Sequence, residues 1–211
     1  MRKIILMVVA LMILSIQVCF AAEFSDAHLD SDENLRYPVI KTGNSAIDDK
    51  INSAIVAEVD RFSTGIYQNA AFNDYKVAGI HTNYEIACNG DGDTVILSVL
   101  LTESSYYEKA AHPSTYLRAL NFNLANGERM GIDYLLEVGE GVQEGELLDK
   151  INQKIVDKVK YERLFVFPDA IPLKKLLQDF YWDKNLHVHF IFQQYEIAPY
   201  AVGIIDIDID E

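Results

Sequence analysis

The chain has 211 residues, half of them hydrophobic, with 18 Lys and Arg against 32 Asp and Glu and a net charge of −14. Such an acidic chain repels nucleic acid, whose binding depends on Lys and Arg contacts to phosphate, so DNA and RNA are excluded as partners. With only two cysteines, Cys19 and Cys88, it has neither a disulfide framework nor the thiolates of a cysteine zinc site.

Arg2 and Lys3 precede an unbroken apolar run over 4–14, and small residues follow at Ala21 and Ala22. A short basic head, a short apolar stretch and a small-residue end form the pattern of a secretory signal peptide. The run is too short for the ~20 residues that span a bilayer. Cleavage is expected after Ala21 or Ala22, which gives a periplasmic or secreted protein that does not span the membrane. Val18 is bulkier than the residue preferred before a lipid-modified cysteine, which argues against lipidation of Cys19. Loss of residues 1–22 leaves 16 basic against 32 acidic residues.

Residues 23–36 are polar and acidic without periodicity and are expected to form a flexible leader. The rest, 37–211, is expected to be a single exported domain with sub-lobes 37–107 and 110–211. A domain of this size buries roughly 70% of its unfolded surface, enough for a core without disulfides. Tyr37 to Lys41 is β-rich, with Pro38 suited to an edge. Ile47, Ile51, Ala54, Ile55, Val59 and Phe62 follow a 3.6-residue period, which predicts an amphipathic helix over 45–63. Asn44 or Ser45 caps its start, and Gly65 lies beyond its end.

Strands follow over 76–87 and 94–102, joined by a turn at 89–93 rich in Gly, Asn and Asp. Another strand over 116–124 ends at Asn126-Gly127, and 130–136 is a short helical connection. Helical spacing returns over 143–162 with Leu147, Leu148, Ile151, Ile155 and Val159. After Pro168 and Pro172, a hairpin spans 179–182 and 186–192, and 204–210 is the last strand. Helices and hairpins segregate, which predicts an α+β fold: a mainly antiparallel sheet packed against two amphipathic helices.

Residue types that can carry chemistry are scattered. His187 and His189 share one strand face and, with a third ligand, would suit zinc or copper; their plainer role is to line the wetter face of a sheet. No metal or other cofactor is expected. His112 sits in a loop, with no G-x-S-x-G nucleophile motif in the chain. The 89–93 turn lacks the spacing and distal glutamate of a calcium loop. Asp206, Asp208 and Asp210 alternate with isoleucines and form an outward acidic stripe, which can receive a basic partner or protect an edge strand. In YEIAPYAVG, 195–203, Tyr195, Glu196 and Tyr200 are candidates for binding, although Pro199 and Gly203 make the segment read first as a rigid corner.

Several segments resemble a known family: YPVI at 37–40 with DDKINSAI at 48–55, SSYY at 104–107, AAHP at 110–113, NFNLANG at 121–127, IDYLL at 132–136 and, most specifically, YEIAPYA at 195–201. They are similar to the lysozyme-sensing extracytoplasmic domain of the anti-sigma-V factor, which also heads some polysaccharide deacetylases. Ala110 departs from the glycine common there. The resemblance implies an exported, non-catalytic binding or sensor-like module of the bacterial cell envelope. Its implied partners are a basic wall-lytic protein such as lysozyme, or envelope glycan. Two alternatives stand beside it: an envelope hydrolase using His112, His187 or His189 with Glu196, and a structural scaffold in an envelope assembly.

Overall fold

The structure, a computed structural model, describes residues 21–90, 94–138 and 143–210. The basic and apolar N-terminal stretch and positions 91–93 of the expected turn lie outside the described residues. The first strand, β1 (Glu23–His28), pairs antiparallel with β2 (Arg36–Lys41), from Glu23 opposite Lys41 to His28 opposite Arg36. This corrects the flexible leader. The β1 side chains are largely exposed, so no hydrophobic alternation marks the strand. It is held by the backbone ladder, by Arg36 paired with Asp26 at 2.8 Å, and by the Tyr84 hydroxyl donating to Asp26. Ala22 is buried, and the Asn89 side chain brackets it, accepting from its N–H and donating to its carbonyl at 2.9 Å.

Helix α1 (Ser45–Asn73) starts where Asn44 Oδ1 accepts from Ala46 N, as the sequence predicts. It runs ten residues past the predicted end at 63. Gly65 costs a helix about 1 kcal/mol relative to alanine, and packing of Ile66 against the core together with burial of Ala70 carries the helix through it. The helix stops at Asp74, whose φ of 54° ends the repeat with its N–H on Ala70 O. Midway, Asn52 grips β2 by both backbone groups of Ile40, at 2.7 and 2.8 Å.

Three antiparallel strands follow, β3 (Val77–Asn89), β4 (Ile96–Tyr107) and β5 (Ser114–Asn123), in the order β3-β4-β5. Ile51, Ile55, Val59 and Phe62 of α1 bury against Leu97, Val99, Leu101, Leu120 and Phe122 of this sheet. Because β5 pairs with β4 throughout, the boundary between lobes falls after β5. The division expected near 107–110 cuts a hairpin and is corrected.

The short α2 (Ile132–Val138) leads to α3 (Glu144–Glu162), then β6 (Phe180–Trp182), β7 (Val188–Phe192) and β8 (Ile205–Asp208) in the order β6-β7-β8. Leu147, Ile151 and Ile155 of α3 pack on Phe180, Phe190, Phe192, Ile205, Ile207 and Ile209. The fold is therefore α+β with antiparallel sheets, each larger sheet carrying its own helix.

The two lobes share a sequence echo as well as an architecture. DKINSAIVAEV at 49–59 and DKINQKIVDKV at 149–159 agree at seven of eleven positions. In both helices the two shared isoleucines are fully buried and the shared asparagine clamps a neighbouring segment by its backbone. Asn152 does this to Leu173, at 2.6 and 3.1 Å.

The sheets meet on the faces that their helices leave open. Leu100 and Ala119 of the first touch Tyr181 and Ile191 of the second. Strand β6 is an edge, so Phe180 O and Trp182 N point out of its sheet. Asn121 Nδ2 donates to the first at 2.7 Å, and Ser98 Oγ accepts from the second at 3.1 Å. A 2.8 Å bond from Ser98 Oγ to Asn121 Oδ1 closes this buried bridge.

Candidate functional site

Strand β7 ends at Phe192 in a turn that closes itself. Glu196 N donates to Gln193 O at 3.1 Å, and Gln193 N donates to the Glu196 carboxylate at 2.8 Å. This turn holds Tyr195 at a φ of +66°, in the left-handed region that a tyrosine rarely enters, with the residue 56% exposed. Ile197 and Ala198 then dive into the core, and Pro199 leads into a single 3-10 turn, Tyr200–Val202. YEIAPYAVG is thus a corner, as the sequence suggests, but one that lifts a tyrosine out.

The tip of the β4–β5 hairpin meets that corner. Tyr106 Oη donates to Ala110 O at 3.1 Å and holds the tip. The His112 ring stacks on Tyr200, with centroids 3.6 Å apart and planes at 18°. His112 Nδ1 lies 2.9 Å from Pro113 O, and a carbonyl can only accept, so this nitrogen carries the proton. Nε2 of the neutral ring is then the acceptor for the Tyr195 hydroxyl, 3.0 Å away. Two segments far apart in sequence, AAHP and YEIAPYA, form one surface cluster of three aromatic rings. Glu196 is not part of it, since its carboxylate is spent on the turn.

The structure also joins the HVH strand to the acidic stripe. Asp206 accepts from His189 Nδ1 at 2.8 Å and from the Tyr181 hydroxyl at 2.6 Å, and the Tyr181 ring stacks on His189. Asp208 lies 2.9 Å from His187 Nδ1, and Asp210 takes Lys150 at 2.9 Å and Val188 N. The three aspartates therefore each hold a partner from the protein's own surface rather than forming an open acidic rail. Among the described residues, no cluster of three His, Cys, Asp or Glu could hold a metal ion. Neither His187 nor His189 reaches Glu196 or His112.

The hydrogen bond that His187 donates to Asp208 raises the His187 pKa. For His189, burial opposes the charge, but the Asp206 hydrogen bond with Asp206, Asp208 and Asp183 outweighs it and raises the pKa. Asp208 moves the other way: its burial is overcome by His187 and the Asp210 backbone, and its pKa is lowered. The raised histidines stabilise the fold fully below the ordinary value of about 6.5, and lose that contribution as pH rises through their folded pKa. Asp208 contributes above about 3.9 and loses its contribution as pH falls through its lowered value. Asp206→Asn is expected to bring the His189 titration, followed by ring-proton NMR, back down toward the ordinary value. An unchanged titration would show that Asp206 is not its counter-ion.

A third constellation has no counterpart in the sequence reading. Glu58, Arg61, Glu103, Arg118, Arg129 and Asp179 converge beside the junction of α1, β5 and the start of β6. The signal was a phase one: Glu103 and Arg118 continue the core-facing rows of Leu101 in β4 and Leu120 in β5, so two charges occupy apolar positions on paired strands.

Of the comparisons with known proteins, the family match falls on the second lobe. Residues 142–210 match DUF3298, described as a protein family of unknown function. This segment runs from α3 through β8, the second lobe. The chain is similar to the crystal structure of a DUF3298 family member from Bacteroides fragilis NCTC 9343, at 18% identity and a TM-score of 0.50, covering 89% of this chain and 87% of that one. It is also similar to that of a DUF3298 family protein from Pseudomonas aeruginosa PAO1, at 11% identity and a TM-score of 0.56, covering 89% of each. Both likenesses concern the fold, and both extend across the two lobes. No curated protein matches the chain. Among the described residues no helix is long and apolar enough to cross a membrane.

Proposed function

We propose that the chain is an exported, non-catalytic binding module of the bacterial cell envelope, and that the cluster of His112, Tyr195 and Tyr200 receives a sugar ring of an envelope glycan. The observation that carries this reading is the raised Tyr195. A protein holds a tyrosine in a costly backbone conformation and half out of the surface where the surroundings over-determine it, and such strain concentrates at ligand sites. Flat aromatic faces pack on the apolar face of a pyranose, while hydroxyl and imidazole edges bond its hydroxyls. Both segments of the cluster belong to the stretches that resemble the lysozyme-sensing extracytoplasmic domain, and the N-terminal pattern supports export.

The decisive measurement is calorimetry with soluble peptidoglycan fragments and chitooligosaccharides. Tyr195→Ala is expected to weaken binding about tenfold or more, roughly 1.4 kcal/mol, without lowering the melting temperature. Equal binding by the variant, or no heat from any glycan, would defeat the reading. A second reading is favoured by the net charge of −14, which suits a basic partner such as lysozyme. Co-elution with lysozyme that disappears as salt rises, with no glycan binding, would establish that reading. Release of reducing ends from the glycan would instead make the protein a hydrolase, and stable capture of envelope proteins from intact cells with no ligand binding would make it a scaffold.

A further inference from the structure

The chain contains six arginines, and three of them, Arg61, Arg118 and Arg129, line one pocket of about 300 Å³. Such convergence is notable in so acidic a chain. Glu58 and Asp179 share the lining and fix two of the three: Arg61 Nε donates to Glu58 at 3.1 Å, and Arg118 Nη1 donates to Asp179 at 3.0 Å. Arg129 differs. It lies over the Phe122 ring at 5.3 Å, is exposed, and among the described residues has no carboxylate within ion-pair distance.

Beside the arginines sits Glu103, only 2% exposed. Its Oε2 is 3.8 Å from Arg118 Nε and 4.0 Å from Arg61 Nη2, beyond hydrogen-bond reach. Glu103 Oε1 and Arg118 Nε are both buried without a hydrogen-bond partner. Buried polar atoms are satisfied in the great majority of cases, so a pair of orphans beside three guanidiniums marks a constellation built around something more than its own ion pairs.

We propose that this pocket binds a small oxyanion, a carboxylate or phosphate group, with Arg129 as its principal ligand and Arg61 and Arg118 supplying the flanking charge. A planar guanidinium fork matches two oxygens of either group. Glu58 and Asp179 hold the other two arginines in place, and their own charge turns away larger polyanions. With Glu103 protonated, three guanidiniums face two carboxylates, and a bound monoanion balances the set.

Glu103 is faced by Glu58 and Arg61 from α1, Arg118 from β5 and Asp179 ahead of β6. Its burial and the Glu58 charge push its carboxyl up to about 7 against the pull of both arginines. Anion binding and ionisation of Glu103 therefore compete, and affinity rises as pH falls.

The test is calorimetry of the full mature chain with inorganic phosphate and, separately, with acetate, at about pH 6 and about pH 8. Acetate keeps one charge across that range, so its pH dependence reports the protein's proton. Saturable binding at millimolar concentration or tighter is expected, stronger at the lower pH and weaker by about tenfold in Arg129→Gln, with the melting temperature followed to show that the variant is folded. Preference for phosphate or for acetate identifies the group. Tyr195→Ala should leave this binding intact, which separates it from the glycan reading. Absence of binding by both anions overturns the proposal, as does equal binding by Arg129→Gln.

Discussion

Asn121→Ala is expected to destabilise the protein by about 2–4 kcal/mol, with the denaturation midpoint falling and its slope unchanged. Asn121 is 2% exposed, donates across to Phe180 O in the second sheet, and accepts from Ser98 Oγ, which itself receives Trp182 N. Alanine strands the Phe180 carbonyl at a buried edge, where water cannot replace the lost donor, and removes the acceptor that orients Ser98. An unmade hydrogen bond costs more than a made one contributes, because the orphan still bears its desolvation. In a chain of this length each kcal/mol moves the melting temperature by about 2–4 °C. Ser98→Ala orphans Trp182 N and the Asn121 Oδ1 acceptor, and the double variant should cost less than the sum of the singles because the two side chains serve one bridge. A loss below about 0.5 kcal/mol for Asn121→Ala would mean that the apolar contact of Leu100, Ala119, Tyr181 and Ile191, with the Gln193–Leu117 and Arg118–Asp179 links, holds the sheets without this bridge.

Much of this fold was legible because the elements with a buried face announce it. The isoleucines of α1 and α3 repeat at helical spacing, and Ile205, Ile207 and Ile209 alternate as a half-buried strand should. Strand β1 was not legible for the opposite reason: its side chains stay in solvent, and its stability lies in backbone pairing, which leaves no pattern. The end of α1 was missed because Gly65 looks like a stop; whether a helix crosses a glycine depends on what the next turn packs against, here the core beneath Ile66, with Ala70 buried beyond it. The lobe boundary was missed because nothing in a hairpin sequence says that its second strand stays in the first sheet.

The candidate site was legible by residue type and opaque by partner. His112, Tyr195 and Tyr200 were each identifiable, but their meeting depends on the approach of a hairpin tip to a corner. Asp206 and Asp208 looked like an outward acidic stripe, and pairing across β7 and β8 makes them the counter-ions of His189 and His187. Glu196 looked like a ligand and is the clasp of its own turn. The arginine pocket draws on α1, β4, β5 and the segment before β6, so no local window contains it. Only the two charges on core-facing strand positions betray it.

Glu103→Gln is expected to stabilise the protein by about 3 kcal/mol above neutral pH and to leave it unchanged in acid. The Glu103 carboxyl is raised by burial first and by the Glu58 charge second, from 4.5 to about 7. A shift of that size corresponds to about 3 kcal/mol at 1.36 kcal/mol per unit. The unfolded chain releases this proton near its ordinary value and the folded chain holds it until about 7. Wild-type stability therefore falls as pH rises between those two values and is level above the upper one. Glutamine keeps the shape of the neutral acid and cannot ionise, so the variant lacks that fall. Urea denaturation at about pH 4.5, 6 and 8 should show the two proteins starting together and separating as pH rises. If Glu103→Gln were instead the weaker protein at the highest pH, Glu103 would be an ionised partner of Arg61 and Arg118, and the buried orphan oxygen would be tolerated for their sake. The same variant should also bind acetate with an affinity that no longer depends on pH, because the carboxylate charge that competes with the anion is gone.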